Sequence, residues 1–345
     1  MRVARRGPVR IGVLGCADIA LRRMLPVLTE ETCVELVMVA SRDADKAART
    51  AARFGCAGAH GYDALLRRDD IDAVYIPLPP ALHRHWVTEA LESGKHVLCE
   101  KPLSTSYDDT LELLKLARAR QLVLAENFMF LHHSQHRAVR KLLDEDVVGT
   151  VQVFSSSFGV PPLDPAGFRY RPDLGGGALL DTGVYPLLAA QLYLGGELEM
   201  LGATLRIDER TGVDVAGTAL LSAADGTAAQ LSFGFDHSYR SHYALWGTRG
   251  RLTVERAFTP PEQLKPPVRI QQQDRFTELA LAADHQVRNS VRAFAEAVVS
   301  GTHGHVEEET TLRQARLVED IRLRARRFSH RPGQAWDAPD RRDRQ

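Results

Sequence analysis

Apolar residues follow two different rhythms along this chain. Up to about Phe128 they come as short continuous runs, "VRIGVL", "VELVMVA", "IDAVYIPL", "KHVLCE" and "LVLAEN". Unbroken apolar runs of this length are what strands need when helices cover both faces of a sheet. Between them lie helix-type patterns: "DIALRRMLPVL", "DADKAARTAARF", "ALHRHWVTEALESG" and "YDDTLELLKLARAR". A short "CAGAH" precedes "GYDALLRR" in one further crossover. Such alternation predicts a doubly wound parallel sheet.

Past Phe128 the rhythm changes. "HRAVRKLLDEDVVG" is amphipathic and ends at Gly149. Alternating runs then follow, among them "TVQVFSSSFGV", "DVAGTALLSA", "TAAQLSFGFD", "HYALWGTRG" and "RLTVERAF". Turn residues in "AADGTAAQ" and "GTRGRLTV" join them, which predicts a mainly antiparallel sheet. One long helix, "GALLDTGVYPLLAAQLYLG", is inserted among the strands; "HQVRNSVRAFAEAVVSG" and "EEETTLRQARLVEDIRLRARRF" are two more. "TPPEQLKPPVRIQQQD" reads as a proline-rich excursion and "RPGQAWDAPDRRDRQ" as a frayed tail. The expected organisation is therefore α/β followed by α+β. Residues 1–128 are expected to form the parallel-sheet domain and 129–330 the antiparallel-sheet domain, with a C-terminal helix free to pack back on the first. Residues 331–345 form the tail.

A length of 345 residues fits two cores better than one. Lys+Arg and Asp+Glu both total 44, so no excess positive charge points to nucleic acid or an anionic membrane. No apolar run approaches the ~20 residues that span a bilayer. The basic start is followed only by the stretch Ile11 to Leu14, which reads as a strand, not a secretory signal. Cys16, Cys33, Cys56 and Cys99 form no CxxC pair and read as free thiols in a reducing cytoplasm.

The first strand leads into Gly15-Cys16-Ala17-Asp18-Ile19-Ala20. Laid on the GxGxxG pattern, this keeps the first glycine, needed for the tight turn, and places alanine at the other two. One added methyl still allows backbone to approach a pyrophosphate and a helix to pack on its strand. The helix beginning near Asp18 aims free N–H groups at the anion. Gly15, Cys16, Ala17, Asp18 and Ile19 are accordingly read as dinucleotide-binding. The second strand ends in Ser41-Arg42, where an NAD enzyme places Asp or Glu. A hydroxyl and a permanently charged, planar guanidinium suit a 2′-phosphate, which makes the cofactor NADP(H). The alternative is that Arg42 is one surface arginine among 38. Asp43 reads as a cap of the next helix.

Lysine is scarce, six residues in all, yet Lys101 sits in "HVLCEKPLS", past the end of a buried strand where α/β sheets bind ligands. Partial burial is expected to lower its pKa and suit it to general acid work. Asp181 and Tyr185 are spaced i, i+4 on one helix face, directly after Gly175-Gly176-Gly177, where backbone can come close to a ligand.

The "GCADIA" turn, "DAVYIPLPPALH", "EKPLS" and "GGGALLDTGVYP" together resemble the Gfo/Idh/MocA oxidoreductase family over about Val9 to Phe328. The resemblance implies a Rossmann domain, an open-faced sheet domain, and hydride transfer between NAD(P) and a sugar, polyol or related carbonyl. It makes Lys101, Asp181 and Tyr185 catalytic, with Glu100 beside the cofactor. Lys101, Tyr185 and Tyr239 would face substrate, with Arg240 a weaker candidate. Lys101, Asp181, Tyr62, Leu78, His83, Asn127 and Arg169 would join the cofactor site; His83 could instead cap its helix. Tyr185 stands where the family commonly has histidine. A tyrosine's reference pKa near ~10 points to proton donation, hence reduction, and leaves open whether Tyr185 or Lys101 is the donor.

"PLPPALH", Ser41-Arg42 and Tyr185 further resemble NDP-sugar 3-ketoreductases of deoxysugar biosynthesis. The expected activity is NADPH-dependent reduction of a C-3 ketone on a nucleotide-linked, dTDP-type sugar. The alternatives are a dehydrogenase of free sugars, polyols or dihydrodiols and a non-catalytic NADP-binding regulator. No metal is expected: His132 and His136 have i,i+4 spacing but no neighbouring Cys, Asp or Glu to complete a zinc set, and their segment reads as a surface helix. A homodimer or homotetramer through the C-terminal sheet is expected.

Overall fold

The structure, a computed structural model, describes residues 7–301 and 305–330. Residues 1–6 and the expected tail at 331–345 lie outside it. The parallel sheet contains β1 (Val9–Leu14), β2 (Val34–Ser41), β3 (Ala57–His60), β4 (Ala73–Ile76), β5 (His96–Glu100) and β6 (Leu124–Asn127) in the order β3-β2-β1-β4-β5-β6. Its crossovers carry α1 (Leu25–Glu30), α2 (Ala44–Phe54), α3 (Asp63–Leu66), α4 (His83–Glu92) and α5 (Tyr107–Arg120). Alternate strand residues feed two cores. Val9, Ile11, Val13, Tyr75 and Leu98 pack under one layer; Val74, Ile76, Val97 and Cys99 pack with Val87, Leu91 and Leu113 of α4 and α5 in the other. Both faces are covered, which is why these strands carry no polar alternation.

The second unit begins with α6 (Ser134–Asp144) and β7 (Val151–Gly159), then α7 (Val184–Leu194). It continues with β8 (Glu199–Asp208), β9 (Asp214–Ser222), β10 (Ala228–Gly234), β11 (Arg240–Gly247), β12 (Arg251–Glu255), β13 (Pro267–Gln272) and β14 (Arg275–Ala280). Last come α8 (Gln286–Ser300), α9 (His305–Arg324) and β15 (Arg326–His330). The nine strands run β14-β13-β12-β11-β7-β10-β9-β8-β15, antiparallel except for the pairs β7 with β10 and β8 with β15. Leu187 and Leu188 of α7, Val139 of α6 and Ile321 of α9 cover one face. The other face is open. Val287, Val291 and Phe294 of α8 instead join Leu25 and Leu28 of α1 on the Rossmann sheet.

Three local expectations need correction. The proline-rich excursion contains the β13–β14 hairpin, whose strand opens at Pro267 and alternates buried Val268 and Ile270 with exposed Arg269. A proline at the first strand position loses no essential N–H, and here it masks a short strand. The last helix stops at Arg324, and the charged stretch after it pairs with β8 at the sheet edge. Nor is the His132–His136 segment a surface helix. His136 is buried, its Nδ1 3.1 Å from the hydroxyls of Tyr193 and Tyr243 and its Nε2 3.2 Å from the Ala257 carbonyl oxygen. Burial pulls its pKa down to about 3, so it is a neutral hydrogen-bonding core residue.

Candidate active site

The site forms where the carboxyl ends of β1, β4, β5 and β6 meet the segment leading into α7. Gly15 ends β1 at φ +122°, a conformation that favours glycine, and a Cβ there would come within 2.8 Å of the Leu78 side chain. Cys16 is buried behind the turn. The chain becomes helical at Asp18 and passes through a π-helical turn, Ala20–Met24, before α1. Ala17, Asp18, Ile19 and Leu78 border a cavity of about 480 Å³. At the end of β2, Arg42 hydrogen-bonds the Tyr62 side chain, while the Ser41 hydroxyl accepts the Asp43 N–H at 3.2 Å. Asp43 caps α2 by accepting the Lys46 N–H at 2.9 Å. A glycine turn at positive φ, a helix start and an arginine beyond the second strand together fit a dinucleotide carrying a 2′-phosphate.

The cavity's chemical wall is ionic. Lys101 directly follows β5, and its peptide bond to Pro102 is cis. Its ammonium donates to the Asp181 carbonyl oxygen at 2.6 Å and to Asp181 Oδ1 at 2.9 Å. Arg169 Nε donates to Asp181 Oδ2 at 2.6 Å. Burial works against the Asp181 charge, but the two cations outweigh it and hold the carboxyl down to about 2. Burial likewise disfavours the Lys101 ammonium; the Asp181 carboxylate reverses this and raises its pKa above the ordinary lysine value. The expected lowering by burial is therefore wrong, because the paired carboxylate dominates. Two of the ammonium's three protons are committed to Asp181, which leaves one for a ligand.

Tyr185 stands on the same wall. Its ring centroid is 5.0 Å from Lys101 Nζ and 5.0, 5.5, 5.6 and 5.8 Å from the rings of Phe158, Phe258, Phe128 and Phe130. Burial pushes its pKa up, opposed by the lysine charge. Asp181 lies in a second π-helical turn, Leu179–Gly183, that runs into α7 and Tyr185. Such turns are frequent at functional sites. Glu100 also lines the cavity; its Oε1 accepts from Tyr75 at 2.7 Å and from Asn127 at 2.8 Å, while Ser290 donates to Asn127 Oδ1 at 2.7 Å.

Of the expected residues, Ala17, Asp18, Ile19, Leu78, Glu100, Lys101, Asn127, Arg169, Asp181 and Tyr185 line this one cavity. Ser41, Arg42 and Tyr62 gather at the neighbouring strand end. Two positions differ. His83 lies fully buried behind the loop, its ring nitrogens 2.8 Å from the Pro102 carbonyl oxygen and 2.7 Å from that of Leu78. It ties together the two loops that carry Lys101 and Leu78 and does not line the cleft. Tyr239 bonds Thr259 Oγ1 at 2.6 Å under the Arg256 guanidinium; Thr259 reaches the cavity, whereas Tyr239 stands behind it.

Comparison with known proteins decides the family. Residues 9–128 match a family model described as an oxidoreductase family with an NAD-binding Rossmann fold, and residues 136–253 match the GFO/IDH/MocA C-terminal domain. The chain belongs to the Gfo/Idh/MocA oxidoreductase family. Two similar relatives are dTDP-3,4-didehydro-2,6-dideoxy-alpha-D-glucose 3-reductases, both 50% identical. The one from Actinomadura kijaniata aligns over 94% of this chain and 97% of its own, the one from Saccharopolyspora spinosa over 92% and 97%. KijD10, a 3-ketoreductase from Actinomadura kijaniata solved with NADP and TDP-benzene, superposes with a TM-score of 0.93 at 50% identity. It covers 94% of this chain and 100% of its own.

Within the Gfo/Idh/MocA scaffold, several supporting residues escaped the sequence reading. Tyr75 read only as strand interior, Ser290 as part of a helix, and Glu126 as the end of "LVLAEN". Each acts through a contact between distant segments, and only their polarity inside otherwise apolar elements signalled it.

Proposed function

We propose that this protein reduces the C-3 ketone of a dTDP-linked keto-deoxysugar with NADPH, making a deoxysugar for natural-product glycosylation. The observation that carries the reading is the convergence of Lys101, Asp181 and Tyr185 on one cavity beside the Gly15 turn. Half-identical relatives named as 3-reductases of such a sugar support the choice of substrate.

Bound NADPH supplies the hydride. Lys101, kept charged by Asp181, directs its remaining N–H at the ketone oxygen and stabilises the negative charge that develops there. Tyr185 gives the proton: a neutral phenol is the available acid, and the adjacent ammonium steadies the phenolate it leaves. Arg169 and Lys101 share Asp181 and hold it as an anion, so neither cation is free to drift toward the sugar. The surrounding phenylalanine rings exclude water from the oxygen.

A homo-oligomer goes with this reading. On the open face of the nine-stranded sheet, small residues such as Ser155, Ser157 and Ser232 leave the surface flat between exposed Leu220 and Trp246. His242 Nδ1 is buried there with no hydrogen-bond partner. A second copy of the chain would cover this face. A cytoplasmic setting also fits, beside the supply of nucleotide sugars and NADPH.

The test is turnover of purified protein, followed by nicotinamide absorbance, on dTDP-linked 3-keto sugars with NADPH and on free sugars and polyols with NADP⁺. Reduction confined to the nucleotide-linked ketones is the expected result. Oxidation of the unactivated polyols alone would overturn the substrate assignment.

A further inference from the structure

The segment that carries Asp181 and Tyr185 does not hold itself in place. Its first N–H groups, those of Ala178 and Leu179, have no partner within their own turn, as at any helix start. They are taken up by Asp214, the first residue of β9, far along the chain. Leu179 N–H donates to Asp214 Oδ2 at 2.6 Å, and Ala178 N–H bonds the same carboxylate. A second observation is independent of the first. Gly177 stands at φ +119°, and a Cβ on it would run into Asp214 Oδ1. The third glycine of "GGG" thus leaves the space that this carboxylate fills. Gly177 N–H in turn donates to the Arg169 carbonyl oxygen at 2.9 Å, so the residue whose guanidinium binds Asp181 is fixed in the same unit.

We propose that Asp214 is a positioning residue for the reduction. Through the N–H groups of Ala178 and Leu179 it fixes the rotation and depth of the turn that presents Asp181 and Tyr185 to Lys101. It does not line the cavity and acts only through those residues. The role matches the chemistry: a carboxylate at a helix start takes charge-assisted bonds and offsets the positive end of the helix dipole. Displacing a reacting group by about 1 Å can cost on the order of 100-fold in rate, so a device that sets this helix sets the rate. The proposal rests on the reading that Tyr185 and Lys101 serve the ketone.

The experiment measures kcat, KM and NADPH affinity for Asp214→Ala and Asp214→Asn, alongside Tyr185→Phe, with NADPH and a dTDP-linked 3-keto sugar. Thermal melting follows the folded fraction of each variant. For Asp214→Ala, kcat is expected to fall roughly 10- to 100-fold while NADPH affinity falls much less, because the Gly15 and Arg42 contacts lie on other segments. Asp214→Asn keeps the shape and one acceptor oxygen and is expected to lose less. It also carries the test should the alanine variant fail to fold. A folded Asp214 variant with full kcat would overturn the proposal, as would losses of kcat and NADPH affinity that merely track unfolding. Full activity in Tyr185→Phe would overturn the reading of the site instead, and the positioning role with it.

Discussion

At the scale of single residues, the site works by setting one carboxylate against two cations. Asp181 is held down to about 2 and Lys101 above the ordinary lysine range, so both stay charged through neutral pH. Spacing set Asp181 beside Tyr185 and the family resemblance set Lys101 with them, but neither could show that an ion pair would reverse the effect of burial on Lys101. Arg42 is the residue we propose as the determinant of cofactor choice. Replacing it with alanine is expected to weaken NADPH by about 10- to 100-fold, the worth of a charge-assisted hydrogen bond, and to leave NADH nearly unchanged. Fluorescence titration with both dinucleotides checks this; equal weakening of the two would remove Arg42 from the 2′-phosphate site. His83 shows the limit of reading from position alone. Its place after β4 suggested a cofactor contact, whereas its ring is buried between two backbone carbonyls inside the fold.

At the scale of elements, the turn bearing Lys101 is braced from behind by Glu126 on β6. Its Oε1 accepts the Leu103 N–H at 2.9 Å, Thr311 hydrogen-bonds the same carboxylate, and burial pushes the carboxyl up to about 7. The sign of the stability effect follows. Between the ordinary glutamate value near ~4.3 and pH 7, the unfolded chain ionises while the folded one keeps its proton, so folding loses stability as pH rises. Well above pH 7 that loss is complete and constant, about 4 kcal/mol at most. Glu126→Gln keeps the acceptor oxygen and removes the charge. It is expected to raise unfolding stability at pH 8 and to change little near pH 4; denaturant unfolding at the two pH values decides, and equal effects at both would contradict the assignment. The Rossmann strands were legible because burial on two faces imposes continuous apolar runs. β13 and β15 were not: one hides behind Pro266 and Pro267, and the other is an exposed charged edge with almost no burial to pattern it.

At the scale of the whole molecule, the proposed catalytic groups come from both units: Lys101 from the end of β5 in the Rossmann sheet, Asp181 and Tyr185 from the segment that leads into α7. Motifs predicted this convergence only through a family resemblance, since no spacing rule connects residues 80 positions apart. The open sheet face belongs to the same scale. Leu220→Arg with Trp246→Arg is expected to split the oligomer into monomers in sedimentation, and an unchanged assembly would move the interface elsewhere. The central claim, that an ammonium and a phenol serve one carbonyl oxygen, is tested most directly by a double-variant cycle. Single-turnover rates of NADPH oxidation are compared for the unaltered chain, Lys101→Ala, Tyr185→Phe and the pair. Groups acting on one oxygen are coupled, so the double variant should lose clearly less than the product of the two single losses. Losses that multiply independently would contradict the account.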